Sequence, residues 1–201
     1  DARTEENRTR ETNAGNLVTD SFRRIAQADV AMMNGGSVRA DNMIGPGRLT
    51  VRDVLSILPF KNRLIKLAVT GATLRAALEH GVGRSAEDAQ PGRFPQVSGI
   101  QFSFDASRPA GQRVVDVKVN GRPLNESRKY SLATTTFLSD GGDGYAVLKN
   151  QEVILQPDQI PFDFEALRRF IATARTVSPK VEGRIPRLDK TERSGPCPPV
   201  R

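Results

Sequence analysis

The chain has 201 residues, 37% hydrophobic and 26% charged, a composition that excludes intrinsic disorder and suffices for one domain with a substantial core. Lys and Arg number 30 against 23 Asp and Glu, and the formal charge of +7 favours anionic partners such as phosphates, nucleic acid or acidic membranes. No apolar run approaches the roughly 20 residues of a membrane span, and no basic-then-apolar leader opens the chain. Asp1 in place of an initial Met points to processing, or to excision of a preceding domain. The single cysteine, Cys197, lies in a Pro-rich stretch, which excludes an internal disulfide and a thiolate metal cluster and leaves a nucleophilic role without a base partner.

In chain order, the cluster Arg8-Thr9-Arg10-Glu11 reads as charged surface. Asn13 is placed to cap a helix reaching about Ala26, since Leu17, Val18, Ser21, Phe22 and Ile25 recur at three- and four-residue spacing. Ala28 to Met33 reads as a buried strand broken by Asn34-Gly35-Gly36. Thr50 and Asp53 form a capping pair for a helix whose apolar face (Val51, Val54, Leu55, Leu58) stops at Pro59. Leu64 to Val69 reads as a strand, and Thr70 then caps a helix marked by Leu74, Ala77, Leu78 and Val82. Residues from Arg84 to Pro95 are polar and read as a surface loop. Ile100, Phe102 and Phe104 alternate with polar residues, as do Val115, Val117 and Val119, and Asn120-Gly121 is a hairpin turn signal. Tyr130 to Thr135 is a further strand, and Phe164, Leu167, Ile171 and Ala174 mark a last helix. The expected division is a domain over residues 1–180 and a basic, Pro-rich tail over 181–201, extended or poorly ordered. Helices mixed with both buried and alternating strands imply an α+β, or mixed α/β, fold with helices packed on mixed sheets.

Three constellations carry possible chemistry. In Asn34-Gly35-Gly36-Ser37-Val38-Arg39, glycines let backbone N–H groups approach a ligand while Arg39 offers a planar fork for phosphate oxygens; by itself the hexapeptide also fits an ordinary strand-ending turn. Phe60 and Phe137 sit on loop segments and could sandwich a flat heterocycle, although either ring alone fits a core position. Asp143, within Gly141-Gly142-Asp143-Gly144, could accept hydrogen bonds from ribose hydroxyls or simply bond its own backbone in a turn. The only histidine, His80, lies near a predicted helix end and reads as structural or exposed rather than as a ligand.

Taken together and in order, the stretches RTRETNAGNL (8–17), MNGGSVR (33–39), LPFKN (58–62), LRAALEHGV (74–82), GRFPQVSG (92–99) and FLSDGGDGY (137–145) resemble the 5'-nucleotidase C-terminal domain family over about residues 8 to 148. The resemblance implies a layered domain that recognises a nucleotide, or a related phosphate ester, while a separate N-terminal metallophosphatase domain of the same polypeptide carries two divalent metal ions and the attacking water. It implies phosphate contacts by Arg8 and Arg39, Asn34 at the reaction centre, base stacking by Phe60 and Phe137, a base contact by Asn62 and ribose binding by Asp143. It also implies a periplasmic, secreted or cell-surface location. No cofactor is expected on this chain, and a lone histidine cannot build a dinuclear site, so the chain by itself is expected to be inactive in hydrolysis.

The sequence departs from the family pattern at Ser37, where a third glycine is usual, at Lys61, where glycine follows the first stacking ring, and at Thr136, where asparagine precedes the second. Base selectivity is therefore the least transferable property. UDP-sugar hydrolases, cyclic phosphodiesterases and thiosulfohydrolases share this kind of domain and remain alternatives, as do a scaffold without ligand and a basic nucleic-acid-binding module, for which no motif is present.

Overall fold

The computed structural model describes residues 1–85 and 91–189. Part of the loop expected before Pro95, and the end of the expected tail with Cys197, lie outside them. Helices α1 (Thr4–Thr9) and α2 (Asn13–Ala26) lead into strand β1 (Val30–Asn34), the first of three 3-10 turns among the described residues (Gly35–Ser37; the others are Gly142–Gly144 and Ala146–Leu148) and α3 (Val51–Ile57). Strand β2 (Leu64–Thr70) and α4 (Gly71–Val82) follow, then β3 (Pro95–Ser98), β4 (Ile100–Phe104), β5 (Val114–Val119), β6 (Arg122–Pro123) and β7 (Lys129–Thr135). The short α5 (Thr136–Ser139), strand β8 (Glu152–Leu155) and α6 (Asp163–Ala174) complete the order.

The strands form a five-stranded sheet in the order β3-β1-β7-β2-β8 and a three-stranded sheet in the order β4-β5-β6. Alternation along the large sheet sends its side chains into two separate cores. Val30, Met32, Leu67 and Leu132 pack with Leu74, Leu78 and Val82 of α4 and with Phe102, Phe104 and Val117 of the small sheet. Ala31, Met33, Leu64 and Ala133 pack instead with Val18 and Phe22 of α2, Val54 and Ile57 of α3 and Leu167 of α6. The result is the expected α+β layering, with mixed strand directions because β1 runs parallel to β7 while β2 runs antiparallel to it.

Local signals placed most elements, and the exceptions have local causes. The capping box of Thr50 and Asp53 forms, and Thr70 caps α4 by accepting from the Thr73 N–H. For α2 the cap is Thr12, one residue before Asn13, because its hydroxyl accepts from the Gly15 N–H at 2.8 Å. Asn120 and Gly121 both take positive φ (49° and 77°), the geometry of a tight hairpin turn with matching twist. In β5 the inward residues are Val114, Val117 and Val119, whereas Val115 is exposed. A bulge opposite Ser103 and Phe104 shifts the register by one residue and turns Val115 outward.

The charged cluster at the start of the chain is not uniformly surface. Glu11 is buried, and its carboxylate accepts from Asn16 Nδ2 (2.6 Å) and from the backbone N–H groups of Glu182 (2.7 Å), Arg184 (2.6 Å) and Ile185 (3.2 Å). These bonds hold the described part of the expected tail beside β4, where Phe102 and Phe104 donate to the carbonyls of Arg184 and Pro186. Ile185 enters the core and Arg184 pairs bidentately with Asp20. The described part of this segment is thus packed onto the domain, since three of its backbone N–H groups converge on one buried anion. Replacing Glu11 by Gln leaves some of those donors facing an amide NH2, and a loss of about 2–4 kcal/mol in urea unfolding is expected. Hydrogen exchange at the Arg184 and Ile185 amides should accelerate in the variant; unchanged protection there would contradict the anchoring role.

Asp163, the first residue of α6, is buried and accepts from the Phe164 N–H (2.6 Å) and the Asn62 N–H (3.2 Å). Burial outweighs these bonds and pushes its carboxyl up to about 6. A carboxyl whose folded-state pKa is raised binds its proton more tightly folded than unfolded, so its contribution to stability falls as pH rises from about 4 to about 6 and is constant above. Relative to Asp163→Asn, the wild type should therefore lose roughly 2 kcal/mol between about pH 4 and about pH 7. Urea midpoints of the two proteins across that range read the difference directly, and parallel pH profiles would rule it out.

Candidate functional site

The sheet register brings the motif loops to one edge. Val30 and Ala31 of β1 lie opposite Leu132 and Ala133 of β7, so both parallel strands end on the same side. Leu64, the first residue of antiparallel β2, lies opposite Thr135, the last of β7, so β2 begins on that side. Asn34 closes β1, Phe60 and Asn62 precede β2, and Phe137 and Asp143 follow β7. The Thr136 N–H donates to the Arg63 carbonyl at 2.9 Å and ties the two phenylalanine loops together.

Asn34 is almost fully buried, and its Nδ2 donates to Asp143 Oδ2 at 2.7 Å while its Oδ1 accepts from the Ser37 hydroxyl at 2.7 Å. A carboxylate only accepts, so the amide nitrogen must face Asp143, and the Ser37 hydroxyl completes the other side. Asp143 therefore fixes the orientation of Asn34, and Ser37, the departure from glycine, adds a donor to the amide oxygen that faces away from it. Asp143 has φ 51° and ψ 18°, a left-handed conformation in which it directs its carboxylate at Asn34 instead of its own turn.

Of the two readings left open for the glycine turn, the hydrogen bonds of its amides match the ordinary strand-ending turn. The Gly35 N–H donates to the Phe94 carbonyl (2.7 Å), the Gly36 N–H to the Gly92 carbonyl (2.8 Å) and the Val38 N–H to the Gly35 carbonyl (3.1 Å). These donors are consumed by the fold because the turn packs against the segment before β3 and against α1. A side chain at Gly35 would run into the Asn7 carbonyl, its Cβ only 1.8 Å away, so glycine is required there for close approach. Arg8 follows Asn7 on α1 and is thereby carried beside this turn.

Arg39 is exposed, donates its backbone N–H to the Ile57 carbonyl (3.0 Å) at the end of α3, and holds its guanidinium 5.7 Å from the centre of the Phe60 ring. Phe60 is 55% exposed and Phe137 40% exposed, unlike Phe22, Phe94, Phe102 and Phe104, which fill the core. Lys61 takes φ 54°, a left-handed backbone that explains why glycine is natural at that position. Asn62 is engaged by its backbone N–H and C=O with Asp163, so α6 braces this loop from behind. A cleft of about 810 Å³ lies elsewhere, between Arg23, Arg24, Phe170 and Arg184.

Sequence reasoning did not single out Gln96, Asp163 or the Ser37 hydroxyl. Gln96 is completely buried and its Nε2 donates to the Asn7 (3.0 Å) and Arg10 (2.7 Å) carbonyls, pinning the Arg8 segment to β3. No local pattern marks a residue whose partners lie more than eighty positions away. Among the described residues, no group of three or more His, Cys, Asp or Glu is arranged to hold a metal ion, and no helix is long and apolar enough to cross a membrane.

Residues 1–150 match the family model described as the 5'-nucleotidase, C-terminal domain. A 5'-nucleotidase of Diplobatis ommata is 36% identical over 90% of this chain, and a trifunctional nucleotide phosphoesterase protein of Bacillus subtilis is 37% identical over 92%. The chain spans 34% and 13% of the lengths of these two relatives. The crystal structure of a 5'-nucleotidase precursor from Thermus thermophilus superposes with a TM-score of 0.86 at 35% identity, covering 95% of this chain and 38% of that one. By its sequence, its layered fold and the order of its loops, this chain belongs to the family of 5'-nucleotidase C-terminal domains.

Proposed function

We propose that the chain is the nucleotide-recognition domain of a metal-dependent 5'-nucleotidase. The observation that carries this reading is the convergence, at one end of β1, β2 and β7, of two exposed rings, a cation held over one of them, and a carboxylate oriented by a buried amide. Phe60 and Phe137 would stack on the base, each stacked face contributing about 1–3 kcal/mol. Asp143 would accept from the ribose hydroxyls, with Asn34 holding its carboxylate in place, and Asn62 would line the base side. Arg8 and Arg39 would neutralise phosphate charge and orient the ester. Asn34 is so enclosed that a direct phosphate contact requires its second N–H, and its main contribution in this reading is to Asp143.

The two divalent metal ions that hydrolysis calls for do not fit the described residues, which supply no ligand cluster, and they belong with the N-terminal metallophosphatase domain proposed as the partner of this one in the same polypeptide. The chain alone would therefore bind without hydrolysing. The Bacillus subtilis relative is named a trifunctional nucleotide phosphoesterase, which keeps other nucleotide phosphoesters within the substrate class. A secreted or cell-surface setting, or the periplasm, is proposed by analogy with relatives such as the snake venom 5'-nucleotidase of Macrovipera lebetinus.

Because Arg39 is assigned to phosphate, Arg39→Ala should weaken binding of AMP roughly ten- to hundredfold and leave adenosine nearly unaffected, as expected for loss of a charge-assisted hydrogen bond. Calorimetric titration of both ligands into both proteins decides it. Equal losses for AMP and adenosine would remove Arg39 from the phosphate site.

A further inference from the structure

Helix α4 ends against the loop that carries Asp143, and its last turn holds the only histidine in the sequence. His80 Nε2 lies 2.8 Å from the backbone carbonyl oxygen of Asp143. A carbonyl oxygen only accepts, so Nε2 carries the proton and donates it. The imidazole also packs edge-on against Tyr145, with ring centroids 4.8 Å apart, and the buried Tyr145 hydroxyl donates to the Arg93 carbonyl at 2.6 Å. Gly144, at φ 85°, lies directly beneath the ring: a Cβ there would stand 2.8 Å from His80 Cε1, so only glycine lets the imidazole come this close to the loop.

Asp143 is consequently gripped at both ends. His80 holds its backbone carbonyl and Asn34 its carboxylate. The grip matters because Asp143 occupies the left-handed region, which is less favourable for a residue with a Cβ than for glycine, so the two hydrogen bonds help to hold it there. We infer that His80 is a positioning residue for ribose recognition, which fixes the backbone of Asp143 so that its carboxylate is presented to the ribose hydroxyls; this rests on the nucleotide reading above. This role requires no contact between His80 and the ligand. Its loss frees the 142–144 backbone to relax and disorients one carboxylate, while the base-stacking rings and the phosphate arginines keep their places on other supports.

The test compares adenosine with 2',3'-dideoxyadenosine, which lacks the 2' and 3' hydroxyls, binding to the 201-residue chain and its variants by calorimetry. His80→Ala is expected to weaken adenosine about tenfold, the loss of one well-placed hydrogen bond, and to leave dideoxyadenosine unchanged. His80→Gln, whose amide nitrogen reaches about as far as Nε2, should recover most of the loss. Equal weakening of both nucleosides, or a Gln variant no better than Ala, would overturn the positioning role in favour of a general structural one. An independent readout needs no ligand: long-range proton-nitrogen NMR of the single imidazole should show the Nε2–H tautomer, and an Nδ1–H tautomer would overturn the brace itself. If the wild-type chain binds neither nucleoside, the nucleotide reading fails together with the ribose role, whereas the tautomer still reports whether the loop is held as described.

Discussion

The arrangement depends on the placement of β7 between β1 and β2. Parallel pairing with β1 puts the ends of β1 and β7 together, and antiparallel pairing with β2 puts the start of β2 beside them. Reversing either direction would send Asn34, the Phe60 loop and the Phe137 loop to opposite edges of the sheet. The pairing is enforced by burial on both faces: Leu132 and Ala133, adjacent in β7, enter different cores, so a slip of one residue would exchange their environments. Register, set by packing far from the site, thereby sets the composition of the site.

Within that frame, the polar groups are held by a hierarchy of hydrogen bonds. The glycine turn after β1 spends its N–H groups on the segment before β3, which locates α1 and Arg8 relative to the sheet. The side chains of the same turn then orient the more distant loop, through Ser37 to Asn34 and from Asn34 to Asp143. A buried amide between a hydroxyl and a carboxylate has one favourable orientation, and an acceptor-only partner determines which. This rigid polar strip contrasts with the exposed rings of Phe60 and Phe137, whose apolar faces lie open where a flat ligand can cover them.

Buried carboxylates anchor the flanking segments, each in a different way. Glu11 gathers four N–H donors and ties distant parts of the chain together, whereas Asp163 has fewer donors for its burial and is held closer to its neutral form. Both sit behind the site rather than in it. Glu11 ties the residues after Pro179 to α2, whereas Asp163 braces the Asn62 loop from behind by accepting the Asn62 N–H.

Local sequence determined much of the fold on its own: the caps at Thr50 and Thr70, the Asn120-Gly121 turn and the periodic faces of α2, α4 and α6 are short-range effects of backbone hydrogen bonding and side-chain spacing. The order of its motifs determined the family in the same way. Tertiary structure alone decided that Val115 faces out, because a bulge depends on the partner strand, and that Glu11 is buried, because its four donors come from residues as far away as Ile185. It also decided that the glycine-turn amides serve the fold, that Asp143 orients Asn34 and that His80 meets Asp143, since each of these depends on contacts between segments whose separation along the chain carries no information about their distance in space.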